Sequence, residues 1–311
     1  MYHPAAPYVV YCASCWESDA WDPLSFGMEY DPARPFFEQL GELFLKVPKK
    51  ATYVNTTSKL GPNINSDYSN VAGGNKDCYL IFNGGGNENV SYARGITFSR
   101  DTFDAYYGVK IERCYEMING NDSAGVRFGH NVVGCMDAWF VRDVSGCQNC
   151  FGCVNLRHKS SHFLNEQLTK AEYEKVTAEI KGSYAQNEKF KKRFYEFSLK
   201  FPRRANTNMK TVHSDGDYIF ESKNVHASFE AHTCEDCKYL FSVKYAKDSY
   251  DCTGFGFDSE LLLENVGVGY SHRVIGSYWV DNSTDIAYSF AVRGSKDCFG
   301  ADAVKNSQYV I

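Results

Sequence analysis

The chain has 311 residues, 43% of them hydrophobic and 15% aromatic, with a formal net charge of −5. This composition can support one large domain or two ordinary ones and excludes a disordered chain. The acidic balance argues against nucleic-acid binding over the whole surface, and no apolar run approaches the ~18 residues of a membrane span.

The N-terminus reads "MYHPAAPYVVYCASCW", with neither a basic leader nor a continuous apolar stretch. Twelve cysteines without an export signal point to reduced thiols in a cytoplasm. Cys12 and Cys15 form a C-x-x-C in an aromatic strap over residues 1–35. The pair looks like half of a zinc ribbon, so zinc is expected at Cys12 and Cys15, with His3 as a weak third ligand.

"FFEQLGELFLK" has helical apolar spacing and opens the next segment, 36–165. A beat of small or apolar residues follows at Cys78, Val90, Thr102, Cys114, Ala124, Cys135 and Cys147. Each beat pairs a polar turn residue with a short run of β-branched and aromatic residues. "NGGGNENVSY" over 83–92 is expected to be a loop. Asp101, Asp104, Asp137 and Asp143 are the carboxylates that a carbohydrate-active enzyme would use, although turns need Asp and Asn as well. Cys147, Cys150 and Cys153 are spaced like metal ligands, and His158 and His162 follow within ten residues.

Residues 166–200 break the rhythm. Thr169 and Glu172 form a capping box, Gly182 is a natural helix end, and Pro202 stops the second helix. Phe190, Phe194, Phe197 and Phe201 share one face, which is expected to cover the start of the second copy. The helix at 36–46 would cap the first. Lys189, Lys191, Lys192, Arg193, Arg203 and Arg204 form a basic patch that could dock another protein or an anionic polymer.

The remainder, 201–311, repeats what came before. "FFEQLGELFLKVPKKA" (36–51) matches "FKKRFYEFSLKFPRRA" (190–205), and residues 111–152 align without gaps to 259–300. Asp137 then meets Asp285. An even beat of strands with no helix between them predicts a mainly β chain: a duplicated β-solenoid (β-helix) with short capping helices and a helical insert between the copies. A β-sandwich is the rival. Two beats per coil are expected, because a coil of one beat would leave the aromatic residues no interior.

The alignment also bears on the cysteines. It sets Leu262 against Cys114, Ser283 against Cys135 and Ser295 against Cys147. A four-ligand metal site does not survive such exchanges, whereas a packing column does. Cys78, Cys114, Cys135, Cys147, Cys150, Cys237 and Cys298 are therefore expected to form an inward ladder.

Three stretches carry a family likeness: "YVVYCASCWESDAWDPLSFGMEYDPARPFFEQLGEL", "CQNCFGCVNLRHKSSHFLNEQLTKAEYEK" and the recurring NC-Y beats. They resemble a group of cysteine-rich repeat proteins predicted from genomes of candidate-phyla (Patescibacteria-type) bacteria. The resemblance implies zinc-ribbon sequence upstream of "YC..CW" and a further stretch after the last "CFG". It implies no reaction. The sequence thus points to a non-enzymatic solenoid scaffold that binds a partner, with no membrane involved. The alternatives are a carbohydrate-active enzyme on a β-helix and a zinc-assisted nucleic-acid binder.

Overall fold

The computed structural model describes residues 2–53, 60–254 and 256–311. The chain divides into two compact units, one of residues 51–203 and one of residues 2–50 with 204–311. Four α-helices are present among the described residues: α1 (Ala13–Glu17), α2 (Phe36–Lys46), α3 (Lys170–Lys181) and α4 (Tyr184–Ser198). None is long and apolar enough to cross a membrane.

Each unit is a stack of parallel β-coils, so the chain is a β-solenoid. In the first unit Tyr79 pairs with Ser91, Ser91 with Phe103 and Phe103 with Tyr115, an even step of twelve positions. The second unit keeps that step from Leu262 to Val274 to Ile286 to Cys298. It takes one extra residue between Ala246 and Ser259 and one fewer between Met209 and Phe220. The coil therefore closes in a single beat, half the expected length.

The reason lies in the backbone. Asn89, Tyr92, Gly95, Phe98, Asp101 and Asp104 all have φ between 50° and 68°. A left-handed residue at every third position turns the chain repeatedly, and four short sides close one coil. That conformation costs a non-glycine residue about 1–2 kcal/mol. Hydrogen bonds to the coils before and after offset the cost, helped by side-chain ladders such as Asn89 Nδ2 to Asp101 Oδ1 at 2.7 Å. The stretch 83–92 is no loop either: Tyr79–Gly85 and Glu88–Thr97 are strands within the stack.

Four residues per coil face inward, one from each side. One such set is Met117, Gly120, Ser123 and Val126; another is Ser283, Ile286, Ser289 and Val292. The interior is narrow, so a large residue needs a small neighbour. A β-carbon on Gly120 would collide with the Met117 side chain. The aromatic residues expected inside lie mostly on the outer faces, as Tyr79, Tyr92, Phe103 and Tyr278 do.

The triplet also explains the beat. Cys78, Val90, Thr102 and Cys114 form one inward column; Cys135 and Cys147 belong to the column next to it. The sequence beat crossed between columns at Ala124, whose neighbours Ser123 and Val126 are the inward residues.

The helices sit elsewhere than the sequence suggested. Phe190 of α4 buries itself with Phe140, Phe151 and Tyr173, so α4 covers the first unit and not the start of the second copy. Helix α2 packs on the last coils of the second unit, through Phe36 on Phe299 and Phe44 on Phe290, rather than capping the first. The strap expected over 1–35 groups, together with α2 and the residues through Lys50, with this second unit. The capping box of Thr169 and Glu172 is formed, and α3 ends at Gly182.

Candidate binding faces

All twelve cysteines are free. Ten are buried, including the seven expected in the ladder; Cys153, read from the sequence only for its metal-like spacing, joins them, as do Cys234 and Cys252, which escaped the sequence reading. C-x-x-C and the triplet coil have the same spacing, so Cys147, Cys150 and Cys153 are inward residues on three successive sides. Their sulfurs approach backbone carbonyls, such as Cys147 Sγ to Ser145 O at 3.4 Å and Cys153 Sγ to Phe151 O at 3.5 Å. Burial pushes the Cys135 thiol up to about 11, which leaves it a neutral filler.

Serine fills the same columns with the same bonding. Ser283 Oγ donates to Asp281 O at 2.8 Å and accepts the amide of Ser295 at 3.1 Å. The columns Ser259–Ser271–Ser283–Ser295–Ser307 and Asn63–Asn75–Asn87–Ser99 repeat that arrangement coil after coil. The polar side chains of these columns are thus paired, as a dry interior requires.

Cys12 and Cys15 are exposed, with Cys12 Sγ accepting the Cys15 amide at 3.3 Å. The Ser14 hydroxyl and the Cys15 amide lower the Cys12 thiol to about 7. His3 Nδ1 is occupied by the Ala5 amide. Among the described residues no group of three or more His, Cys, Asp or Glu side chains could hold a metal, so Cys12 and Cys15 supply two zinc ligands at most. His162 is buried in the column beneath Cys150, while His158 is exposed, so the two histidines do not converge.

Of the candidate carboxylates, Asp101 and Asp143 are used along the coils, and Asp104 and Asp137 are exposed. Asp101 accepts from Asn89, Asp143 from Asn131 at 2.9 Å, and Asp285 pairs with Arg273. Of the basic patch, Lys191 is committed to Glu116 at 2.7 Å, whereas Lys189, Lys192, Arg193 and Arg203 are exposed on the first unit. Arg204 is exposed in the second unit.

The most organised surface is a face of aromatic and aliphatic columns. In the first unit one column runs Tyr79, Ser91, Phe103, Tyr115, Arg127, Trp139, Phe151, Phe163. Trp139, Phe151 and Phe163 stack with planes 19° apart. Phe190 presses on Phe140 and Phe151 at ring distances of 5.0 and 4.8 Å. Gly152 (φ 68°) leaves it room, since a β-carbon there would come within 2.9 Å of the Phe190 ring.

The second unit presents the matching column: Tyr250, Leu263, Ile275, Ala287, Phe299. Phe36 presses on Tyr288 and Phe299 at 5.8 and 4.7 Å, over Gly300 (φ 67°). Tyr288, Phe299 and Gly300 are the residues that the ungapped alignment equates with Phe140, Phe151 and Gly152. Phe36 likewise equates with Phe190. The same anchor thus occupies the same seat in each unit.

The far ends of the two seats differ. Arg142 donates to the last turn of α4, at Ser198 O (3.0 Å), satisfying a terminal carbonyl. At the equivalent places in the second unit Phe44 meets Phe290 edge-on at 5.1 Å. The coils beyond both seats keep their columns open: Tyr79, Phe103 and Tyr115 in one unit, and Tyr250, Leu263 and Ile275 in the other, are 37–45% exposed.

No family model and no curated protein matches the chain. Solved structures do. One is described as an acetyltransferase from Desulfovibrio desulfuricans G20, at 11% identity and a TM-score of 0.14, covering 80% of this chain and 65% of the other. Another is a UDP-N-acetylglucosamine O-acyltransferase from Moraxella catarrhalis, at 11% identity and a TM-score of 0.10, covering 80% and 67%. The chain spans about two thirds of the length of these structures. Likeness at this level carries no activity across.

Proposed function

We propose that the protein is a non-enzymatic scaffold whose aromatic columns receive amphipathic helices of a protein partner. The observation that supports this is the doubled seat. Phe190 and Phe36, each on a helix with an apolar face, fill equivalent hollows beside Gly152 and Gly300. The open columns are continuous with those seats, coil by coil. An approaching helix with Phe or Leu at i, i+4 and i+7 would meet the surface that the chain's own helices use. A Phe ring buried on such a face contributes about 1.5–3 kcal/mol, and the far ends, polar in the first seat and aromatic in the second, select among helices.

A fluorescently labelled peptide copying residues 184–201 tests the reading on the intact protein. Saturable binding is expected, weakened at least tenfold by Ile275→Glu or Phe103→Glu in the protein. Equal binding of a peptide carrying Phe190→Asp and Phe194→Asp would remove the basis of the proposal.

One observation favours a second reading. Lys189, Lys192 and Arg193 are exposed on α4, so an anionic polymer could dock there. Binding of that kind falls steeply with salt, whereas helix capture on the columns does not.

A further inference from the structure

The second unit contains a cavity of about 230 Å³ between α2 and the last coils. Leu24, Met28, Leu40, Phe299, Val304 and Ile311 supply much of its apolar wall. An engineered cavity of about 150 Å³ with such a lining takes up benzene, so this one has room for a ring and a substituent.

The wall also carries Glu29, Tyr30 and Gln39, and one buried polar group in it is out of keeping. Asp302 lines the cavity, and its side chain is 1% exposed. Its Oδ2 is paired with Lys49, but its Oδ1 has no hydrogen-bond partner. A buried carboxylate oxygen left unpaired is costly, and the cost is relieved by a donor. The charge of Asp302 is already balanced. Lys49 is wholly buried, pairs with Asp302, and lies over the rings of Phe44 and Phe290 at 3.9 and 4.9 Å. A cationic ligand would place a second positive charge beside the buried Lys49. A neutral O–H or N–H would not.

We infer that this cavity is a binding site for a small neutral cyclic molecule bearing one hydrogen-bond donor, of the phenol or indole type, with Asp302 Oδ1 as the acceptor. The apolar wall supplies the affinity and the carboxylate supplies the orientation. The site shares Phe36, Phe299 and Gly300 with the second seat but none of the open positions Tyr250, Leu263 and Ile275, so its failure would leave the helix-capture reading untouched.

Isothermal titration of the intact protein with indole, and with indene as the matching hydrocarbon, tests the inference. Indole should saturate at one site with a Kd between about 1 µM and 1 mM, and indene should bind about tenfold more weakly. Leu40→Trp fills the cavity from α2 and should abolish both without lowering the melting temperature. Equal affinities for the two probes would overturn the role of Asp302. Absence of saturation, or binding that survives in a folded Leu40→Trp protein, would overturn the site.

Discussion

The backbone amide of Cys147 points at the sulfur of Cys135, one coil earlier, at 3.4 Å. The alignment equates Ser283 with Cys135, and its hydroxyl accepts the amide of Ser295 in the same way. A thiol is therefore standing where a hydroxyl serves, with its own hydrogen directed at the carbonyl two residues back. Cys135→Ser should change stability by about 1 kcal/mol or less. Cys135→Ala should cost somewhat more, because the Cys147 amide then loses its acceptor. Cys135→Phe should prevent folding, because a narrow coil cannot admit a ring. Thermal melts under reducing conditions check the order; equal, large losses for all three would mean the sulfur does something other than pack.

Lys49 and Asp302 hold residues 2–50 to the last coils through a pair that is fully out of water. Removing one partner leaves the other charge buried. Lys49→Met alone should cost about 3–5 kcal/mol. The double change Lys49→Met with Asp302→Leu should recover most of that loss, since a well-packed apolar pair often matches a buried ion pair. Denaturant unfolding of the single and double variants gives the coupling directly. Additive losses would show that each residue acts through separate contacts.

His232 stacks on Phe220 at 4.7 Å, and burial, with Lys244 nearby, lowers its pKa from 6.5 to about 4. The folded protein thus favours the neutral ring. The stability linked to His232 is complete above pH 6.5 and is lost as the pH falls from 6.5 toward 4. His232→Phe keeps the stacking and removes the proton site. Its unfolding free energy should therefore vary less over that interval than that of the unmodified protein. Parallel pH profiles would show that the ring does not titrate as its burial dictates.

Cys12 and Cys15 are exposed and the other ten cysteines are buried. A thiol reagent should modify two sulfurs rapidly in the native reduced protein and the remaining ten only after denaturation. The faster of the two should titrate near pH 7, the position to which Cys12 is lowered, and should vanish in Cys12→Ser. Zinc expected at this pair should be absent from the Cys12→Ser/Cys15→Ser variant by elemental analysis. Zinc retained in that variant would place the metal elsewhere.

The solenoid class, the capping box of Thr169 and Glu172, the helical insert and the inward ladder cysteines were all legible from residue order. These features rest on local spacing and on exchange of Cys with Ser, and both are written in the chain. The size of the coil was not legible. The spacing of the beat gives the length of a unit but not how many units close a turn. That is decided by the left-handed residue at every third position, and Tyr, Phe and Asp at those places do not announce it. The wealth of aromatic residues argued for a wide interior, yet they lie mostly outside because a four-sided coil admits side chains up to the size of Leu or Met, and those only beside small neighbours. Nor could residue order tell which stack α2 serves. Proximity in the chain favoured the first copy, but Tyr288, Phe299 and Gly300 form the hollow for Phe36, Phe290 meets Phe44, and Asp302 neutralises Lys49. Those partners all lie near the far end of the chain, and only packing brings them to α2 and Lys49.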